Sequence, residues 1–379
     1  MAISDTADPQ RWRFLEIDWI TYAHTAIYRP VMVRAVGERI VPDTVSFCRF
    51  PRPSLILNYF NDPEKDIYLD FCRSRNIPVF RVISSGGPIW GDTGYIFTFL
   101  HIKRDNPLLP PDAPGMFEKT LTGVAQGISE CFGVECRFRP LNDLEIKCED
   151  GVWRKIGPSS CFYDEKAIQM GSGIQVKKPD DDLIAGAICA PPEKFADKET
   201  KTLRDRITYL ERLVGRDIDL AEIRDIYWNQ VQKTFGVELF EGELTQREKD
   251  YYREMESQYT AEEFFLERSE KRLGEIPQGV TRNLLLHKVA KGPLLRVITF
   301  TKDNRLWNLI ISGSLHASPL RPTSPVHEIE KALIGQEVNQ AVFREKIAEV
   351  LRRPRYDLPG LSPELLAEKI FTCATKAAD

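Results

Sequence analysis

The chain has 379 residues, 42% of them hydrophobic, and its 52 basic and 56 acidic residues leave a formal charge of −4. Both signs are mixed along the whole length, which gives no basic footprint for a duplex, so nucleic acid is not an expected partner. No stretch approaches the roughly 18 apolar residues of a membrane span, the N-terminus lacks a basic or apolar leader, and the eight cysteines form no C-x-x-C pairs while the five histidines lie far apart. That pattern excludes a spelled-out zinc site or disulfide framework and fits a reducing, cytoplasmic setting with no membrane partner.

In chain order, Leu15 to Ile27 has helical character, and short β-rich runs follow at Val45–Cys48 and Ser54–Asn58. Asp66 to Arg75 reads as a helix and Pro78–Ile83 as a buried strand that runs into Ser84-Ser-Gly-Gly-Pro. Tyr95–Ile102 is a second strand. Met116 to Phe132 carries Phe117, Leu121, Val124 and Ile128 at helical spacing and ends at Gly133. Leu144–Cys148, Gly151–Gly157 and Gly173–Lys178 alternate with turn residues, which predicts a mostly antiparallel meander.

Beyond Pro191 the sequence turns helical and charged, with helices expected over Leu220–Phe235 and Arg247–Lys271. Leu273–Thr281 reads as a linker or an inter-domain strand. A hairpin around Asp303-Asn304 joins Leu295–Phe300 to Leu306–Gly313, and helices follow near Val326–Leu333, Gln340–Leu351 and Pro363–Phe371. The expected organisation is two domains, 1–272 and 273–379, with an α+β fold of mixed, mostly antiparallel sheets flanked by helices and a small α+β C-terminal domain.

Two segments can carry chemistry. Arg81-Val-Ile-Ser-Ser-Gly-Gly-Pro-Ile-Trp-Gly-Asp92 leaves a strand through adjacent glycines, whose backbone N–H groups can approach a phosphate or carboxylate closely; the plain alternative is an ordinary hairpin turn. Asn142-Asp143 leads through a hairpin to Lys155-Ile-Gly-Pro-Ser-Ser-Cys161 and then to Met170-Gly-Ser-Gly173. Lys155 beside small residues can place a point charge on a phosphate or on charge developing at phosphorus, and the alternative is a surface lysine. Cys161 is either a thiol nucleophile beside that lysine or a buried structural cysteine.

Taken in order, these pieces resemble the lipoate-protein ligase family, which is related to biotin-protein ligases and octanoyl transferases. The resemblance spans about Phe14 to Phe371 and includes Leu57-Asn-Tyr-Phe-Asn-Asp-Pro63, the glycine loop, Asn142-Asp-Leu, Lys155-Ile-Gly-Pro-Ser, Lys201–Leu210, Phe235-Gly-Val-Glu-Leu and Glu328–Gly335. It implies that Lys155 is the catalytic residue; that Arg81, Ser84, Ser85, Gly86, Gly87, Asp92, Asn142, Asp143, Gly157, Ser159 and Gly173 line the substrate and nucleotide site; and that Asp143 also meets a metal. It implies ATP and Mg2+ as cofactors, lipoate or octanoate as substrate, and a lipoyl-carrier protein as the lysine acceptor. Val82 and Ile83 stand where the family has arginine, Gly91 where it has histidine, Pro88 stiffens the loop, and Pro158 replaces a glycine. Other implied readings are an ATP-independent transferase using Cys161 and a non-catalytic binding factor for lipoate or lipoyl proteins.

Overall fold

The computed structural model describes residues 10–18, 22–140, 142–189, 191, 207–290, 292–321 and 323–376. Its strands are β1 Arg11–Asp18, β2 Thr44–Arg49, β3 Ser54–Leu57, β4 Val79–Arg81, β5 Ile89–Gly91, β6 Tyr95–Lys103, β7 Cys136–Arg139, β8 Asp143–Lys147, β9 Trp153–Tyr163, β10 Ala167–Gln175, β11 Glu238–Glu241, β12 Thr281–Lys288, β13 Leu294–Lys302 and β14 Arg305–Gly313. The helices are α1 Tyr22–Gly37, α2 Leu69–Ser74, α3 Ala113–Phe132, α4 Asp181–Ala187, α5 Leu210–Val214, α6 Leu220–Phe235, α7 Gln246–Tyr259, α8 Glu262–Phe265, α9 Pro325–Leu333, α10 Gln340–Leu351 and α11 Pro363–Ala374.

Eight strands form the main sheet in the order β11-β1-β2-β6-β10-β9-β8-β7. β1 runs parallel to both β11 and β2, and the remaining pairs are antiparallel. Two three-stranded sheets, β4-β3-β5 and β12-β13-β14, complete an α+β fold of mixed sheets flanked by helices.

Local chemistry explains the main supports. Asp112 caps α3 by accepting from the Gly115 N–H, and Gly133 ends the helix at φ 68°, a left-handed conformation that costs glycine little. The apolar face of α3, including Leu121, Val124 and Ile128, is buried with α6 against one face of the main sheet. The opposite face carries Tyr95, Phe97 and Phe99, packed with Phe80 and Val82 of the small sheet and Tyr28 and Met32 of α1. Asp303 and Asn304 adopt φ 51° and 57° between β13 and β14, the two consecutive left-handed residues of a tight hairpin turn.

Two sequence expectations change. Leu15–Ile27 is not helical at its start, because β1 runs to Asp18 and α1 starts at Tyr22. The expected helix over Arg247–Lys271 breaks at Thr260, after which α8 and a 3-10 turn at Glu270–Leu273 follow. The segment after the expected linker forms β12, the edge strand of the C-terminal sheet. Lys201–Arg206 and Leu141 lie outside the described residues.

The C-terminal sheet is fastened to the rest of the chain. The Gly313 N–H donates to the Phe60 carbonyl at 2.9 Å, Arg296 pairs with Asp66 at 2.7 Å and Arg268 with Glu330 at 2.8 Å, all four side chains buried. Tyr251, Tyr259 and Phe264 share one apolar core with Leu295, Val297 and Ile329.

Candidate active site

The glycine loop lies between β4 and β5, both of which pair with β3. Gly86 sits at φ 107°, a conformation that disfavours a side chain. The loop is held from several directions: Asn61 Nδ2 donates to the Gly86 carbonyl at 3.0 Å, Asn58 Nδ2 to the Gly87 carbonyl at 2.7 Å, and the hydroxyls of Ser84 and Ser160 lie 2.9 Å apart. That last contact ties the loop to β9. The buried Ser85 hydroxyl has no hydrogen-bond partner among the described residues.

Lys155 lies on β9 opposite Glu145, while Pro158 lies opposite Asp143; the register shift between Leu144 and Glu145 puts one extra β9 residue between those pairs. Because directly opposed residues share a face and alternate residues of β8 do too, this bulge brings Lys155 onto the same face as Asp143. Their side chains form an ion pair, with 19% of the lysine and 12% of the aspartate exposed. Glu145 on the same strand is clasped by Arg137 and Arg139 of β7 at 2.9 and 2.8 Å. Asn142 holds the β8–β9 hairpin: its side-chain amide donates to the Ser159 carbonyl, and its own carbonyl accepts from the Ser159 N–H at 3.0 Å.

On the neighbouring strand β10, glycines keep the surface low. A Cβ at Gly173 would lie 1.8 Å from the Tyr95 hydroxyl, and one at Gly157 would lie 1.6 Å from the Gly173 carbonyl oxygen. The rings of Phe97 and Phe99 lie over the Gly171 position, and the buried Arg29 guanidinium stacks on both, 5.4 and 4.8 Å from their centres. Its three nitrogens have no hydrogen-bond partner among the described residues. Burial pushes this guanidinium down to about 9.

Two residues expected in the substrate site have their polar groups engaged within the fold. Arg81 is fully buried and gives all five of its donors to backbone carbonyls: Nε and NH2 to Phe265, NH1 to Asn58 and Tyr59, and NH2 to Asn61. Asp92 accepts from the Trp90 indole at 2.9 Å and the Gly94 N–H at 2.8 Å, closing the β5–β6 turn. Cys161 is buried among the residues that pack on α3, away from the face that bears Lys155. Burial raises its thiol well above the ordinary range, which disfavours the reactive thiolate. The Phe50 ring occupies the space beside Gly91, where any Cβ would come within 2.8 Å.

One contributor gave no signal in the sequence. His316, in the segment after β14, reaches the same place: a Cβ at Gly86 would lie 3.9 Å from its Nε2. Burial, helped by the charge of Lys155 and opposed by Asp143, pushes its imidazole down to about 4. Asn58 and Asn61 belong to the Leu57–Pro63 passage quoted above, although their hold on the loop was not legible there. Among the described residues no cluster of three or more His, Cys, Asp or Glu side chains is set to hold a metal.

The fold is one shared with lipoate ligases of known structure. A lipoate protein ligase from Thermoplasma acidophilum, solved in a study of it and its E2 lipoyl domain, superposes with a TM-score of 0.57 at 22% identity over 71% of this chain and 99% of that one. P. falciparum LipL1 in complex with lipoate superposes at 0.64 with 9% identity over 91% and 95%. The model of the lipoyl protein ligase A/B catalytic domain matches residues 23–232, and the chain belongs to that family. Among its relatives are lipoate-protein ligase A subunit 1 of T. acidophilum, 24% identical over 63% of this chain and 88% of the relative, and octanoyltransferase LipM of Clostridioides difficile, 22% identical over 64% and 96%.

Proposed function

We propose that the chain is an ATP-dependent lipoate-protein ligase, with residues 1–272 as its catalytic part and 273–379 as its accessory part, working in the cytoplasm. The observation that supports this most is the Lys155–Asp143 ion pair on the face that meets the serine and glycine loop. In the first step the carboxylate of lipoate or octanoate attacks the α-phosphorus of ATP, pyrophosphate leaves, and acyl-AMP forms. In the second, the amine of a lysine on a lipoyl-carrier protein attacks the acyl carbonyl, AMP leaves with the bonding pair, the nitrogen gives up a proton to solvent, and an amide results.

Lys155 leaves Asp143 to hold the acyl carboxylate and the α-phosphate together, where its point charge offsets the charge gathering at phosphorus. Ser84, Ser85, Gly86 and Gly87 line the place where acid and nucleotide meet, and Asn142, Gly157, Ser159 and Gly173 shape the strands beneath. A Mg2+ arriving with the nucleotide needs only one or two protein carboxylates, and Asp143 is the carboxylate at hand. Both nucleophiles belong to substrates, so positioning supplies most of the rate.

The test is mass spectrometry of a purified lipoyl-carrier domain after incubation with the protein, lipoate and Mg-ATP. The expected result is an ATP-dependent lipoyl mass gain that falls about a hundredfold or more in Lys155→Ala. Acyl transfer from an acyl carrier without ATP, unaffected in Lys155→Ala, sinks the ligase reading. With Cys161 buried on the far face, such a transferase would need another nucleophile.

A further inference from the structure

The segment after β14 is pinned to both sides of the candidate site. Ser314 starts it by donating to the Leu294 carbonyl at 3.0 Å, and the Leu315 carbonyl then accepts from the Gly86 N–H at 2.9 Å. Three residues on, Ser318 is bound to the end of β9: its hydroxyl donates to the Tyr163 carbonyl at 3.1 Å and accepts from the Tyr163 N–H at 3.3 Å. His316 is held between these anchors. Its ring stands over Gly86, at 3.9 Å from Nε2 and 4.0 Å from Cε1 to the point where a Cβ would be, and both Lys155 and Asp143 act electrostatically on it. The backbone on both sides of His316 is therefore fixed before any ligand arrives, and an imidazole always carries at least one N–H donor. The loop glycine, the strand lysine and this histidine therefore converge from three separate parts of the chain.

We propose that His316 is a ligand-binding residue of this site: its ring N–H hydrogen-bonds an anionic oxygen of the group held by Lys155, so that the C-terminal sheet contributes to the reaction centre directly. The inference rests on the reading of Lys155 as the substrate-holding residue. The anionic oxygen belongs either to the carboxylate of the acid or to a phosphate of the nucleotide, and the two ligands can be offered separately.

The experiment is calorimetric titration of the full chain with octanoate alone and with Mg-ATP alone, for wild type, His316→Ala and His316→Asn, each checked for melting temperature. Loss of a hydrogen bond to a charged group predicts binding about tenfold or more weaker in His316→Ala, with most of it restored in His316→Asn, which keeps a side-chain N–H. A loss confined to octanoate identifies the carboxylate, and one confined to Mg-ATP identifies the phosphate. His316→Leu, which keeps bulk without the donor, repeats the measurement if the alanine variant folds poorly. Affinities within twofold of wild type for both ligands in the Ala and Leu variants overturn the proposal, as does a loss that tracks a fall in melting temperature and is not restored by Asn.

Carrier-domain transfer separates this proposal from the ligase reading. Octanoate binding that depends on His316, with no transfer by wild type, removes the ligase and leaves the site. Transfer with unchanged kcat and KM in His316→Ala removes the site and leaves the ligase. Wild type that binds neither ligand overturns both.

Discussion

Replacing Arg81 with methionine separates scaffold from site in a single variant. The guanidinium donates to four backbone carbonyls, those of Asn58, Tyr59, Asn61 and Phe265, and thereby joins β4, the segment that positions Asn58 and Asn61, and the end of α8. Burial pushes its pKa down to about 10, so it remains a cation at neutral pH. Methionine fills much of the volume but leaves those carbonyls without a donor, at roughly 1–3 kcal/mol for each one that water cannot reach. If water reaches half of them, the net loss is about 2–6 kcal/mol, a range that spans the cost of breaking other buried charged networks. At roughly 1.3 °C per kcal/mol for a chain of this size, the melting temperature measured by differential scanning fluorimetry falls by about 3–8 °C. The protein that remains folded should bind octanoate with nearly wild-type affinity. An unchanged melting temperature with weakened octanoate binding refutes the reasoning and returns Arg81 to the substrate.

Gly157→Ala forces a methyl group to 1.6 Å from the Gly173 carbonyl oxygen; with backbone on both sides, β9 and β10 must part, and a loss of about 3 kcal/mol or more is expected as a lower melting temperature. Arg29→Met exchanges a buried guanidinium with no hydrogen-bond partner among the described residues for an apolar side chain, so the melting temperature should hold or rise despite the two lost ring contacts; a fall of several degrees contradicts this. Burial lowers the His101 imidazole to about 3, against an ordinary 6.5. Between those values the unfolded chain binds the extra proton, so this contribution is full above about 6.5 and lost as pH falls toward 3. His316 acts in the same direction. Asp62, raised by burial to about 6, acts oppositely: its contribution is present below 3.8 and lost as pH rises through 6. His101→Gln should therefore flatten the melting-temperature profile between pH 6.5 and 4, and an unchanged slope argues against the buried neutral imidazole.

Elements whose signal is local were legible in the sequence. The apolar stripe and terminal Gly133 of α3, the Asp303-Asn304 turn and the bounds of α10 follow from spacing and turn chemistry alone. β1 was not, because its run of buried residues from Trp12 to Leu15 lacks the alternation of a strand with one wet face. The break at Thr260 was hidden within a charged stretch whose composition suits one long helix. In the site, Lys155, Asp143 and the glycine loop stand out by residue type. What Arg81 and Asp92 do depends on which carbonyls and N–H groups the fold brings to them, and His316 arrives from the far end of the chain by tertiary packing.

The placement of β1 between β2 and β11 bears on biosynthesis. β1, with Arg11 opposite Glu238, finds its second partner only after residues 238–241 have been made, so this side of β1 stays uncovered until then. An expression fragment ending where the family match ends, at residue 232, leaves β1 uncovered for good and invites association between copies. A boundary drawn after Glu241 retains the strand that covers β1.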